Sequence, residues 1–148
     1  MTESFISQTE ADALFAMPKI RVNNDKHDYP GTGLQLSIPL ISCDQRENFE
    51  LDIWRSGNVQ LKGRYQNKSR HIIILARLDF GGQPHRNPDD TEVASPHLHL
   101  YREEFADKWA FNLPDCFTHS TDLWKTLQEF MVYCNIIEPP IINKGLFI

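Results

Sequence analysis

The stretch HIIILARLDF, residues 71–80, is the most hydrophobic part of a 148-residue chain and decides its predicted fold. Apolar residues occupy both alternating positions for much of its length, which predicts a central strand covered on both sides. Period-two alternation at residues 34–38 and 49–53 predicts two half-buried strands before it. The arm that follows them, residues 59–65, forms the second half of a hairpin and is expected to turn Leu61 inward.

Helices are predicted near both ends of the chain. Ser7 followed by Glu10 matches the capping box, in which the serine hydroxyl accepts an amide proton and the glutamate reaches back. Pro18 should end this first helix. Near the C terminus, apolar residues recur at helical spacing from Leu123 to Cys134, which predicts a helix that lays one apolar stripe on the sheet.

These elements predict a single α+β domain that spans residues 1–148. We expect an antiparallel sheet of about five or six strands, with the N- and C-terminal helices packed on one face. The apolar C-terminal segment, residues 141–148, is expected to dock on the domain or to pair with a partner.

Composition narrows the possible functions. The formal net charge of −5 argues against a general nucleic-acid coat. No apolar run is long enough to cross a bilayer, and the N terminus is acidic where a signal or transit peptide would be basic. Three widely spaced cysteines without a C-x-x-C pattern are typical of buried thiols in a reducing compartment. We therefore expect a cytoplasmic protein with no membrane partner.

Residues 61–86 form a basic zone in this acidic chain, with six basic side chains and one acidic side chain. These bases either pair with acids on neighbouring strands or bind an anionic ligand such as a phosphate backbone. The six residues are Lys62, Arg64, Lys68, Arg70, Arg77 and Arg86.

A candidate site follows the basic zone. His97, His99 and Tyr101 alternate along a predicted strand, so they should project from the same face of the sheet. A tight turn at residues 105–106 would pair this strand with the next one and place Tyr101 opposite Ala110. The expected cluster consists of His85, His97, His99, Tyr101, Glu103 and Lys108, with Arg77 and Arg86 near it in sequence.

The segment before that strand, residues 81–96, has three prolines and no periodicity. A loop of this length is uncommon inside a compact domain and is usually functional or mobile. It contains His85 and Arg86, which are therefore included in the candidate site.

The favoured prediction for this cluster is a small RNA-directed nuclease or toxin-like phosphodiesterase. Imidazole suits general acid–base catalysis because its pKa lies near the working pH. His97 and His99 would serve as acid and base, with Tyr101 and His85 assisting. The predicted phosphate contacts are Lys108, Arg86, Arg77, Arg64 and Lys62. Such a mechanism needs no cofactor.

A metal site is an alternative interpretation of the same histidines. His85, His97 and His99, with Glu103, could bind a divalent transition metal. The His-x-His pair followed by Glu103 resembles the first metal-binding motif of the cupin barrels. The resemblance covers only His97, His99 and Glu103, because the glycines that flank the cupin motif are missing and a helix follows where strands should.

A further alternative is a non-catalytic protein-interaction module, either an antitoxin or an inhibitor of a host or phage-defence system. Histidine and tyrosine are ordinary residues on a strand surface, and Tyr101 with Trp54 could anchor an interface. The partner of such a module would be a protein, whereas the partner of the predicted nuclease would be RNA.

The stretches PHLHLYRE and DKWA resemble a family of small, uncharacterised bacterial proteins. The similar segments are residues 10–14, 81–88, 96–103, 107–110, 138–140 and 145–147. The family carries glycine where this chain has Asp90, Glu104 and Ala106, so the turn geometry is expected to differ there. The resemblance brings no established activity. It implies a stand-alone bacterial domain of the kind met near prophages and mobile elements, whose partner would be a cognate antitoxin, a toxin or a host complex.

Overall fold

Two helices and twelve strands make up the computed structural model, which describes residues 5–58, 61–119 and 121–145. In chain order they are α1 (Gln8–Ala16), β1 (Lys19–Arg21), β2 (Lys26–Asp28), β3 (Gln35–Ser42), β4 (Asn48–Arg55), β5 (Gly63–Ser69), β6 (Ile73–Phe80), β7 (His85–Arg86), β8 (Glu92–Val93), β9 (His97–Leu100), β10 (Ala110–Asn112), α2 (Leu123–Tyr133), β11 (Ile136–Glu138) and β12 (Ile141–Asn143). The α+β class predicted from the sequence is correct.

Eight of these strands form one sheet, in the order β10-β9-β6-β5-β4-β3-β1-β11. Neighbouring strands are antiparallel from β10 to β1, and β11 runs parallel to β1 at the edge. The sheet is therefore mixed, and it is larger than the antiparallel sheet of five or six strands that was expected. Strands β1 and β11 have three residues each, which is too short for alternation to mark them in a sequence.

The predicted central strand, β6, lies between β5 and β9. Its inner side is buried at Ile73, Leu78 and Phe80, whereas Arg77 and Asp79 on the other side are half-buried. The expectation that β6 is covered on both sides therefore holds for one side only. The apolar run looked longer in the sequence because it includes Ile72, which lies in the turn before the strand.

Leu61 is 53% exposed and does not face the core as expected. Strand β5 begins after it, at Gly63, where a Cβ atom would lie 2.4 Å from the Trp54 carbonyl oxygen and 2.8 Å from the Phe80 ring. Residues 59 and 60 of the same predicted arm lie outside the described residues. Tyr65 of that arm is buried, as the predicted strand requires.

Both helices begin at the expected places. The Ser7 hydroxyl accepts the Glu10 amide proton, and the Asp122 carboxylate accepts that of Lys125. The Glu10 side chain bonds to Arg70 instead of closing the capping box. In the described part of the chain, neither helix has the length and apolar character needed to cross a membrane.

The C-terminal segment contributes β12, which pairs in parallel with β2. This pairing agrees with the expectation that the apolar tail docks on the domain. Strand β2 lies within residues 23–33, whose composition is that of a loop, and residues 146–148 of the tail lie outside the described residues.

The buried ammonium group of Lys19 links the ends of the two helices. It donates hydrogen bonds to the carbonyl oxygens of Phe15 (2.8 Å), Met17 (3.0 Å) and Cys134 (2.7 Å). Because helix C-termini leave carbonyl groups without intrahelical partners, one cation satisfies both ends. Burial lowers the pKa of Lys19 to about 8.

Replacing Lys19 with methionine should lower the free energy of unfolding by about 1–3 kcal/mol, because buried carbonyl groups lose their donor. At this position the unfolded chain binds more protons than the folded one between pH 8 and pH 10.5, so Lys19 should contribute a rise in stability with pH across that window, and Lys19→Met should lack this contribution. Urea unfolding of both proteins across this window measures the two effects. Lys125→Met, at an exposed position of α2, is the matched control. Equal pH slopes for the natural protein and Lys19→Met would contradict the assignment.

Candidate functional site

Cross-strand pairing arranges polar side chains in two rows on one face of the sheet. Residues directly opposite each other in neighbouring antiparallel strands share a face. One row is Asp52, Gln66, Arg77 and His99, and the other is Trp54, Arg64, Asp79 and His97. The two histidines of β9 thus share a face with two of the arginines predicted to contact phosphate.

Three imidazoles meet at the β9 end of these rows. The ring centroid of His85 lies 4.6 Å from that of His99 and 5.8 Å from that of His97, and the two β9 rings are 5.0 Å apart. Only 3% of His97 and 0% of His99 is exposed, while His85 is half-buried. The structure therefore brings the three predicted histidines together, but it buries two of them.

The cover over these rings is the small β7–β8 hairpin, which lies within the segment expected to be a loop. Asn87 fastens it to the edge strand β10. The Asn87 amide nitrogen donates to the Ala110 carbonyl (3.0 Å), and its oxygen accepts the Ala110 amide proton (2.7 Å). His85 adds a bond from Nε2 to the Lys108 carbonyl oxygen (2.8 Å). These hydrogen bonds therefore hold the hairpin in one position on the sheet.

Backbone carbonyls fix the tautomers of the two buried rings. Nδ1 of His99 lies 2.8 Å from the Asp107 carbonyl oxygen, and Nδ1 of His97 lies 3.3 Å from that of Ala94. A carbonyl oxygen only accepts, so Nδ1 carries a proton in each ring, and in a neutral ring Nε2 then keeps its lone pair. On His99 this lone pair accepts a hydrogen bond from Nη2 of Arg77 (3.1 Å). Burial also lowers the pKa of His99, which favours the neutral ring.

Asp79 lies at the centre of the cluster, between two guanidinium groups. It accepts from Nε of Arg64 (2.9 Å) and from Nη2 of Arg77 (3.1 Å), and Arg77 also binds Asp107 (2.5 Å). Burial opposes ionisation of Asp79, but hydrogen bonding with His97 and His99, together with the charges of Arg77 and Arg64, outweighs it and holds the pKa of Asp79 well below its usual range.

Sequence reasoning missed Asp79 as a site residue. Its signal was present, because it is the one acid in the basic zone and it alternates with Arg77 on the same strand. Asn87 and Asp107 were also missed, because their contacts with Ala110 and Arg77 join residues that are distant in the sequence.

The basic zone is largely neutralised within the protein. Arg64 and Arg77 bind Asp79, Lys68 binds Asp52 (2.8 Å), and Arg86 binds Glu92 (3.4 Å). These pairs match the first interpretation of the zone, in which bases complement acids on neighbouring strands. Of the other predicted phosphate contacts, Lys62 is half-buried, and Lys108 is exposed and joins the histidines through its carbonyl group alone.

Tyr101 and Glu103 lie at the start of α1 instead of joining the imidazoles. The Tyr101 hydroxyl donates to the Ile6 carbonyl (2.7 Å) and accepts the Ile6 amide proton (2.7 Å). The Glu103 carboxylate accepts the Gln8 amide proton (2.7 Å). The expected placement of both residues is therefore wrong. Glu103 binds the start of α1 and does not join His85, His97 and His99 as a predicted metal ligand.

The cause is that β9 ends at Leu100, so Tyr101 lies beyond the alternation of the strand; Ala110 accordingly lies opposite His99 and not opposite Tyr101. The chain leaves β9 after Leu100 and turns through residues with left-handed backbones. The φ angles of Glu104 and Ala106 are 74° and 52°. Asp90 has a φ angle of 70° as well. The turn geometry at these three positions was expected to differ from that of the family's glycines, but the backbone keeps the left-handed conformation that glycine favours.

A groove of about 440 Å³ continues the same polar face across β3, β4 and β5. Its lining includes Ser37, Asp52, Trp54, Arg64, Gln66 and Lys68. The Asp52 carboxylate accepts hydrogen bonds from Ser37 (2.7 Å) and Gln66 (2.8 Å) and pairs with Lys68. The groove therefore has a half-buried tryptophan beside polar groups that are already bonded to each other.

A model of a family of unknown function, DUF6978, matches residues 6–136. The chain belongs to this family, and the resemblance to an uncharacterised family is confirmed. No curated protein and no solved structure was found to match the chain.

Asn87→Ala should release the β7–β8 hairpin, because Ala110 loses a donor and an acceptor in a buried position. We expect the free energy of unfolding to fall by about 1–3 kcal/mol. Diethylpyrocarbonate should also modify His97 and His99 faster in this variant than in the natural protein. Peptide mass spectrometry measures the rate of modification. Asn112→Ala, at an exposed position of β10, should change neither quantity. Unchanged histidine reactivity in Asn87→Ala would show that the hairpin does not limit access.

Proposed function

We propose that this member of the DUF6978 family is a non-catalytic interaction module, of the antitoxin or inhibitor type, that binds a protein through the groove. The observation that carries the proposal is the groove itself, in which Trp54 lies beside ion-paired and hydrogen-bonded polar groups. Its place of action is proposed to be the cytoplasm, where its three free thiols would stay reduced. Of these thiols, Cys134 is buried as expected, whereas Cys43 and Cys116 are exposed.

The groove is proposed to lie on the sheet face opposite both helices. This placement is supported by the core, in which Leu14 of α1 and Phe130 of α2 belong to one cluster with Leu51 and Ile53 of β4. Side chains alternate along a strand, so Trp54 points away from that cluster. A face without a helix over it leaves room for a partner as large as a protein.

The charge pattern favours a protein partner over RNA. Polyanion binding draws its energy from cations that neutralise phosphates and release counterions. In the groove, Arg64 and Lys68 already neutralise Asp79 and Asp52, so binding a phosphate would break existing ion pairs. A protein surface offers both charges and hydrogen-bonding groups of both kinds, and Trp and Arg are the residues most enriched at interface centres.

An RNA-directed nuclease is the second candidate, and the three clustered imidazoles favour it. His85 would be the reactive group at the surface, because it is half-buried while His97 and His99 are covered. Exposed Lys108, whose carbonyl binds His85, would contact the phosphate.

The groove can be tested by photo-crosslinking in a bacterium that carries the gene. A benzoylphenylalanine at position 66 should crosslink one specific protein, whereas the same group at position 132 should not. Position 132 is the matched control because Val132 is 78% exposed on α2. Equal products from both positions would contradict the proposed face.

Trp54→Ala should then weaken binding of the crosslinked protein about 30-fold or more, as expected when a tryptophan anchor is removed. Titration calorimetry with the purified partner measures the loss, and Val132→Ala should bind like the natural protein. Unchanged affinity in a folded Trp54→Ala variant would refute the groove as the binding site. RNA cleavage by the natural protein that disappears in His85→Ala would establish the second candidate instead.

A further inference from the structure

We infer that Asp79, His97 and His99 form a binding site for a divalent transition metal of the zinc class. The inference does not depend on the proposed function, although Arg64 lines the groove and also binds Asp79 of this site. Its three ligand atoms lie within 4.8 Å of one another. Oδ2 of Asp79 is 3.4 Å from Nε2 of His99 and 3.8 Å from Nε2 of His97.

These separations suit a common ion after small movements of the side chains. Zinc binds imidazole nitrogen and carboxylate oxygen at about 2.0–2.2 Å, which places tetrahedral ligand atoms about 3.3–3.5 Å apart. The Asp79–His99 distance is already in that range.

The imidazoles are oriented as metal ligands are. Each ring gives its Nδ1 proton to a backbone carbonyl, of Asp107 for His99 and of Ala94 for His97. This contact on the far nitrogen is the usual way in which proteins fix the tautomer and direction of a ligating histidine. It leaves Nε2 of both rings facing the Asp79 carboxylate, where a metal ion would bind in place of any proton on these nitrogens.

The donor set selects the class of metal. Two imidazole nitrogens with one carboxylate oxygen suit zinc, cobalt, nickel or copper, whereas calcium and magnesium prefer oxygen ligands. The metal set predicted from the sequence contained His85 and Glu103. Here Asp79 replaces Glu103 as the carboxylate, and the His85 ring lies over the site at its half-exposed edge.

Arg77 is an internal competitor for the ion. Its Nη2 atom lies 3.1 Å from both Nε2 of His99 and Oδ2 of Asp79, so its positive charge lies beside the atoms that would bind the metal. Its Nη1 atom is held separately by Asp107. Metal binding must break the first two contacts, which should weaken the affinity of the natural protein.

Cobalt titration of the protein without a His tag tests the site. We expect one equivalent of Co²⁺ with visible absorption bands, displaced by Zn²⁺. His99→Gln should lose this binding, while His27→Gln, on β2, should retain it. Stoichiometric binding that is equal in both variants would overturn the assignment.

Arg77→Met should bind Co²⁺ about tenfold more tightly than the natural protein, because the competing cation is gone. Zn²⁺ should also raise the unfolding temperature of Arg77→Met, which detects binding even if the substitution weakens the fold. The absence of one-equivalent binding below about 100 μM metal in both the natural protein and Arg77→Met would refute the site.

Discussion

The polar face of the sheet depends on the Asp79 carboxylate. Two guanidinium groups, of Arg64 and Arg77, use it as their counter-ion, and strand pairing sets His97 directly opposite it. Arg77 is largely buried, and a buried cation that loses its partner costs far more than an exposed one. The arrangement of the imidazoles follows from this contact, because Arg77 also holds His99 through its Nε2 atom.

Burial of the imidazoles changes which chemistry they can perform. A general acid or base must reach the proton that it transfers, and an RNA backbone cannot reach rings that lie beneath the β7–β8 hairpin unless the hairpin moves. A metal ion is small enough to bind lone pairs in such a place. The same geometry that makes His97 and His99 poor acid–base residues for a polymer therefore makes them good ligands, and it leaves His85 as the imidazole at the surface.

Local rules predicted the parts of the molecule that depend on neighbouring residues in the chain. The Ser7 cap and the shared face of His97 and His99 follow from hydrogen-bonding capacity and strand geometry. Alternation failed at Tyr101, because the strand ends at Leu100 and the chain leaves it through a turn in which Glu104 and Ala106, neither of them glycine, have positive φ angles. The alternation of Asp79 with Arg77 on β6 was visible in the sequence, but its pairing with Arg64 of β5 and its place beside His97 of β9 depend on how the strands pair.

The groove and the histidine cluster share one ion pair, and this makes them energetically dependent on each other. Arg64 lines the groove, while its Nε atom binds the carboxylate that the proposed metal site requires. A metal at Asp79 would withdraw negative charge from Arg64 and leave that guanidinium free for an acidic group of a partner. By linkage, a partner that pairs with Arg64 would strengthen metal binding by the same factor. The proposed partner and the proposed metal ion are therefore expected to bind this sheet face as two coupled ligands.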